Sequence, residues 1–144
     1  MIREWTVEEA KVDKRLAVFL KAFEQATSLV KVDSDYAFER YREMMSKGLV
    51  RIFIAEEDDN TLQGAIGWLV SNDLHDGRKT AVELFWFVHP KYRGIGKELF
   101  NRFEMETVGC RRCMIHLEDS YPESLKAFYE KNGYRRYETH YIKE

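Results

Sequence analysis

The stretch Glu83-Leu84-Phe85-Trp86-Phe87-Val88-His89-Pro90-Lys91-Tyr92-Arg93-Gly94-Ile95-Gly96-Lys97-Glu98-Leu99-Phe100 decides how the rest of the chain is read. Its first half is an unbroken aromatic and aliphatic run, the pattern of a strand buried on both faces. A proline and a basic, glycine-containing turn follow before helical spacing begins. A turn of that composition can hold an anion. The first N–H groups of a helix lack intrahelical partners and lie at the positive end of the helix dipole. Gly94 and Gly96 carry no Cβ, so a phosphate can approach the main chain, and Arg93 and Lys97 bring positive charge from either side. Taken alone, the two glycines are a weak signal and fit a tight strand-to-helix connection with solvated basic residues better than an anion site.

Working outward, the 144 residues suit one domain over 1–144, and 44% apolar with 14% aromatic residues are ample for a single core. Twenty-three basic against twenty-five acidic residues leave a net charge of −2, which gives no electrostatic case for a general nucleic-acid binder. No apolar run approaches the roughly 20 residues of a membrane span, and Met1 to Thr6 is charged without a signal-peptide core; a cytoplasmic protein is expected. Cys110 and Cys113 form a lone C-x-x-C with no second pair, and read as free thiols, not a metal or redox site.

In chain order, Ile2 to Trp5 reads as a strand. Thr6 with Glu9 has the pattern of a capping box, and Val12, Leu16, Phe19, Leu20 and Phe23 predict one helix of about four turns. Residues 27–33 break that period. Asp33 or Ser34 then caps a second helix with the stripe Ala37, Tyr41, Met44 and Met45, ending near Gly48. Val50 to Ala55 is a strand, the acidic run 56–60 a hairpin loop, and Leu62 to Val70 a strand in which Gly64 and Gly67 mark a bulge or a close backbone approach. The loop 71–79, the most flexible-looking in the chain, leads to the central strand Thr80 to Val88. Leu99, Phe100, Phe103 and Val108 predict the next helix, closed by Gly109. Cys113 to Glu118 is expected as the fifth strand. Tyr121, Leu125, Phe128 and Tyr129 mark a helix stopped by Asn132-Gly133, and Tyr134 to Ile142 a last strand.

The order apolar strand, Val-His-Pro-x-Tyr-Arg-Gly-x-Gly, amphipathic helix resembles the acetyl-CoA-binding motif of the GNAT superfamily of N-acetyltransferases. Leu117-Glu118 and Phe128-Tyr129-Glu130-Lys131-Asn132-Gly133-Tyr134 resemble further segments of that family, so the likeness runs from about Val82 to Tyr134. It implies an α/β (α+β) fold: a GNAT-like mixed, mostly antiparallel sheet of about six strands with flanking helices, in the order β-α-α-β-β-β-α-β-α-β. Two departures stand out. The family pattern is R/Q-x-x-G-x-G/A, and counting from Arg93 puts Glu98 where a small residue belongs. Either Glu98 points outward, or the loop is two residues short and Gly94 and Gly96 take the last two glycine positions. The second departure is a C-terminus with room for one final strand instead of two, which leaves the substrate side open or completed by a second copy in a homodimer.

The resemblance further implies an enzyme that transfers acetyl from acetyl-CoA to a primary amine by direct attack through a tetrahedral intermediate. Arg93, Gly94, Ile95, Gly96, Lys97 and Glu98 would grip the CoA pyrophosphate. The main chain of Trp86, Phe87 and Val88 would align the pantetheine arm and polarise the thioester. Tyr129 matches the tyrosine that protonates the leaving thiolate, the other reading being a core aromatic on the face of Tyr121 and Leu125. For the general base, Glu118 matches one branch of the family and Glu83 another, against the reading of both as ordinary rim carboxylates. His89 and His116 read as structural, with no converging ligands for a metal. Arg111-Arg112 reads as a solvated turn, the 3'-phosphate of CoA being the alternative. Tyr36, Phe38 and the acidic segments are compatible with a cationic acceptor without identifying it. Two other functions stay open: an acyl-CoA-binding or regulatory domain without efficient turnover, and an interaction protein using the free C-terminal sheet edge.

Overall fold

Ile2–Glu4 forms β1, and the expected capping box follows it in a computed structural model that describes residues 1–26, 33–118 and 120–144. The Glu9 amide donates to the Thr6 hydroxyl at 3.2 Å while the Thr6 amide donates to the Glu9 carboxylate at 2.9 Å. The single four-turn helix expected from there is two helices, α1 (Val7–Val12) and α2 (Arg15–Ala26). Asp13 is extended (φ −100°, ψ 118°) and its carboxylate accepts from the Arg15 amide at 2.9 Å, so it ends one helix and opens the next. The break re-phases the stripe: Val12 is 84% exposed, whereas Leu16, Phe19, Leu20 and Phe23 are buried.

Most of the period break expected over 27–33 lies outside the described residues. Asp33 caps α3 (Ser34–Ser46), accepting from the Tyr36 amide. Then come β2 (Val50–Glu56), β3 (Leu62–Asn72) and β4 (Lys79–Val88). Both of the last two strands run longer than the hydrophobic pattern indicates. The loop between them is bound down, because the Asp73 carboxylate accepts from the His75 and Asp76 amides and pairs with Arg111. A 3-10 helix (Pro90–Ile95) leads into α4 (Gly96–Glu106), followed by β5 (Arg111–Cys113) and α5 (Glu123–Lys131).

The strands form one sheet of five, in the order β1-β2-β3-β4-β5, antiparallel except for the parallel β4–β5 pair. This is the expected mixed α/β architecture with one strand fewer. Helices α1 to α3 cover one face, where Leu16, Phe19, Phe23 and Phe38 meet Ile52, Ile54 and Phe85. Helix α4 covers the other, where Leu99 and Phe103 meet Phe53, Ile66 and Trp68. Each such fully buried side chain contributes about 1.5–3 kcal/mol.

A bulge lets β4 serve both layers. Gly67 pairs with Phe85 and Trp68 with Glu83, which leaves Leu84 without a partner across the ladder. Ala81 therefore lies in the α4 cluster, while Phe85, four residues on and of the same parity, lies in the cluster under α1 to α3. Gly67 is required at this crossing: a Cβ there would stand 2.6 Å from the Phe85 ring.

Three further expectations are corrected. Val108 is 78% exposed because α4 has already ended at Glu106, with the Thr107 hydroxyl turned back onto the Phe103 carbonyl at 2.7 Å. The fifth strand covers Arg111–Cys113, not Cys113 to Glu118. Among the described residues from 134 to 144 there is no strand. Tyr134 is held instead by α4 and α5, its amide on the Tyr129 carbonyl and its hydroxyl on Glu104, and a three-residue β5 offers little edge to pair with. The C-terminal strand expected to carry a dimer contact is thus not formed.

Candidate active site

The site begins where β4 and β5 part. Their ladder covers Thr80, Ala81 and Val82 against Arg111, Arg112 and Cys113, and goes no further. One residue past the last rung, the Glu83 carboxylate reaches across and accepts from the Ile115 amide at 2.8 Å. The Tyr129 hydroxyl, from α5, donates to the carbonyl of the same residue at 3.0 Å. Both backbone groups of Ile115 are thus satisfied by side chains, so the chain leaves the sheet here, and among the described residues no strand pairs with β4 from Leu84 to Val88 on this side.

Removal from water sets the chemistry of these two groups. Glu83 is 1% exposed, and burial pushes its carboxyl up to about 8 against the downward pull of the Ile115 amide. Tyr129 is 8% exposed, and burial, then the nearby Glu83 charge, push its phenol far above its ordinary value. Trp86 fills the space between the two flanking helices, 5.6 Å from Phe100 and 6.0 Å from Phe128 between ring centroids.

At its far end β4 runs into the glycine turn. The His89 amide donates to the Gln63 carbonyl at 2.9 Å, and the His89 ring accepts from the Lys91 amide, which starts the 3-10 helix. Ile95 precedes α4 without any side-chain cap, so the first amides of that helix have no side-chain acceptor. A Cβ on Gly94 would meet nothing within 4 Å; one on Gly96 would lie 3.4 Å from Val88 and 3.7 Å from Trp86. Gly94 is therefore the open glycine, and Gly96 the one that lets α4 sit close on β4. Arg93 and Lys97 are exposed and, among the described residues, without an ion-pair partner; Glu98 is also exposed, pointing away from the core. A hollow of about 510 Å³ is walled by Met1, Glu56 to Asp59 and Gln63, an acidic lining that does not suit a diphosphate.

Residues 49–136 match the family model of the acetyltransferase (GNAT) domain. The chain belongs to the GNAT acetyltransferase family. Solved structures share its fold: an aminoglycoside acetyltransferase from an uncultured soil metagenomic sample is 16% identical with a TM-score of 0.74, over 100% of this chain and 97% of that one. A possible acetyltransferase from Clostridium difficile 630 is 15% identical with a TM-score of 0.73, over 100% and 96%. A predicted acetyltransferase with acetyl-CoA from Clostridium acetobutylicum is 14% identical with a TM-score of 0.71, over 100% and 95%. No curated protein matches the chain.

Within this GNAT domain the other expected site residues separate. Glu118 lies on the outer surface, its side chain 58% exposed and paired with Lys126 at 3.1 Å; that hydrogen bond holds its carboxyl below the usual range. Phe38 is core at 5% exposure and Tyr36 is 65% exposed under Arg40, so neither belongs to the split. Arg112 is not a solvated charge, since it donates to the Thr107 hydroxyl at 2.7 Å and the Glu104 carbonyl at 2.9 Å and so caps the end of α4. Arg111 is committed to Asp73 and Asp76. Cys110 and Cys113 are free, half-buried thiols. Among the described residues no His, Cys, Asp and Glu side chains converge as a metal site, and no helix is long and apolar enough to cross a membrane.

Sequence reasoning did not find Ile115 as a site residue and read Tyr121 only as the start of a helical stripe, whereas α5 begins at Glu123. Ile115 contributes only its backbone, which no residue pattern announces. Tyr121 packs against the apolar cluster under α1 to α3, and burial, then the Glu83 charge, raises its phenol above its ordinary value.

Proposed function

We propose that this chain moves an acetyl group from acetyl-CoA to a primary amine by direct attack through a tetrahedral intermediate. One observation carries the reading: past Val82 the edge of β4, unpaired among the described residues, leads straight into the start of α4, which has no side-chain cap; there Gly94 is open, and Arg93 and Lys97 have no ion-pair partner among the described residues. An extended thioester arm suits such an edge, as an added strand would, and a diphosphate suits uncapped amides beside Arg93 and Lys97. Gly96 against Val88 and the outward Glu98 support the alignment with the shorter glycine loop, in which Glu98 takes no part in anion binding.

Tyr129 is the proton donor to the departing thiolate in this reading. Burial keeps its phenol protonated across the physiological range, and a turn of the hydroxyl away from the Ile115 carbonyl frees its O–H. Glu83 acts as a positioning group: its oxygen is engaged by Ile115, and below about pH 8 it is mostly protonated. Glu118, stabilised as a carboxylate by Lys126, is a weak base.

The binding-module alternative is favoured by one fact, that Tyr129 and Glu83 are both engaged by Ile115 instead of standing free. Release of free CoA thiol over a panel of small-molecule, peptide and protein amines separates the two. Amine-dependent release supports the transferase. Acetyl-CoA binding without release from any amine supports the module.

A further inference from the structure

We propose that Tyr121 and Phe87 receive the acceptor, and that it is a primary amine carried on an apolar, aromatic body; this substrate class rests on the acetyl-transfer reading above. The two faces of β4 differ at the split. Neighbouring residues of a strand point to opposite faces, so Trp86 and Phe87 belong to different layers. Trp86 packs in the layer under α4, and the Tyr129 ring stands 6.4 Å from it, which puts the proton donor for the departing thiolate on that side. Phe87 and Tyr121 pack with the layer under α1 to α3. An amine that attacks the thioester from the side away from its leaving group meets this second face.

That face offers a ring wall and one free polar atom. Phe87 and Tyr121 are half-buried, so neither is closed off from water. Behind Phe87, the Phe19 and Phe23 rings stand edge-on to it with centroids 5.1 and 6.0 Å away, which fixes its ring and makes the surface behind it apolar. The polar atom is the Tyr121 hydroxyl. Among the described residues it has no hydrogen-bond partner, and it is not shut off from solvent. Burial, then the Glu83 charge, keeps that phenol protonated, so its oxygen accepts an N–H from the amine while its own O–H remains available. Tyr121 lies within electrostatic reach of both Glu83 and Tyr129, which sets this hydroxyl at the split where the acetyl group would arrive.

Charge selects against a polycation. Among the described residues Glu83 is the one carboxylate whose charge bears on Tyr121, and below about pH 8 it is mostly protonated. Tyr41, stacked on Phe85 in the same layer, is raised by burial alone. A second ammonium on the acceptor would give up its water here with no anion to meet it, whereas an aromatic body exchanges water for rings.

The test follows thiol release by the parent, Tyr121→Phe and Phe87→Leu with 2-phenylethylamine, n-butylamine and spermidine, alongside acetyl-CoA calorimetry. The parent should use 2-phenylethylamine with a kcat/KM at least about tenfold above that for spermidine. Tyr121→Phe keeps the ring and loses the hydroxyl; it should lower kcat/KM about tenfold for 2-phenylethylamine and n-butylamine alike, with acetyl-CoA affinity unchanged. Phe87→Leu should narrow the preference for 2-phenylethylamine over n-butylamine by about threefold or more. A parent that uses spermidine as well as 2-phenylethylamine overturns the assignment and leaves acetyl transfer standing. So does a Tyr121→Phe protein within about twofold of the parent, an unchanged preference in Phe87→Leu, or a Tyr121→Phe loss that comes with lost acetyl-CoA binding, which would mark a structural role. A parent that releases no thiol with any amine overturns the acetyl-transfer reading and this assignment with it.

Discussion

Replacing Glu83 by Gln isolates the group that holds the sheet open. The carboxamide oxygen still accepts from the Ile115 amide, so the contact at 2.8 Å survives while the titration is removed. In the parent the buried carboxyl is pushed from its ordinary 4.5 up to about 8. Between those values the folded chain keeps a proton that the unfolded chain has released, so raising the pH favours unfolding. The stability tied to protonated Glu83 is complete below about pH 4.5 and is lost as pH climbs to about 8. At about 1.4 kcal/mol per pH unit the whole interval corresponds to about 5 kcal/mol as a ceiling. Urea unfolding of both proteins between about pH 5.5 and 8.5 samples roughly 3 kcal/mol of it, and the difference between them cancels every other titrating group. The parent should lose that much relative to Glu83→Gln, so the variant becomes the more stable of the two at the alkaline end. Parallel curves would refute the buried, neutral carboxyl and with it the account of how β4 and β5 are kept apart.

Gly67→Ala drives a methyl into the Phe85 ring 2.6 Å away, and should destabilise the fold by about 1–3 kcal/mol, read as a lower thermal midpoint. Arg112→Ala removes two hydrogen bonds at the end of α4; a loss of about 1–2 kcal/mol, with faster amide exchange confined to the last turn of that helix, is the expected result. Tyr129→Phe should lower kcat by about 100-fold with acetyl-CoA affinity unchanged, and also cost about 1 kcal/mol of stability through the freed Ile115 carbonyl.

How far the sequence could be read depends on the distance over which each feature is decided. The central strand, the glycine turn and the start of the helix after it, and the Thr6–Glu9 cap, depend on neighbours within a few residues, and they form where the pattern puts them, though the strand starts one residue earlier and the helix ends at Glu106, short of Gly109. The fifth strand fails for a tertiary reason. Residues 113–118 alternate as a strand should, yet a carboxylate 32 residues earlier in the chain takes the Ile115 amide and ends the ladder. The first helix divides because one short side chain, Asp13, caps in place of continuing. Glu118 matched a family position but lies exposed on the surface, paired with Lys126 eight residues on. The switch of faces along β4 needs the unpaired Leu84, which only the register reveals.

Calorimetric titration of acetyl-CoA into the parent and into Gly94→Glu tests the central claim most directly. The new carboxylate points into open space, so the variant keeps the parent's melting temperature. The account predicts one acetyl-CoA per chain for the parent, weakened by salt, and an affinity at least about tenfold lower for Gly94→Glu. Parent protein that takes up no acetyl-CoA at about millimolar concentration, or a variant that binds as tightly as the parent, would contradict it.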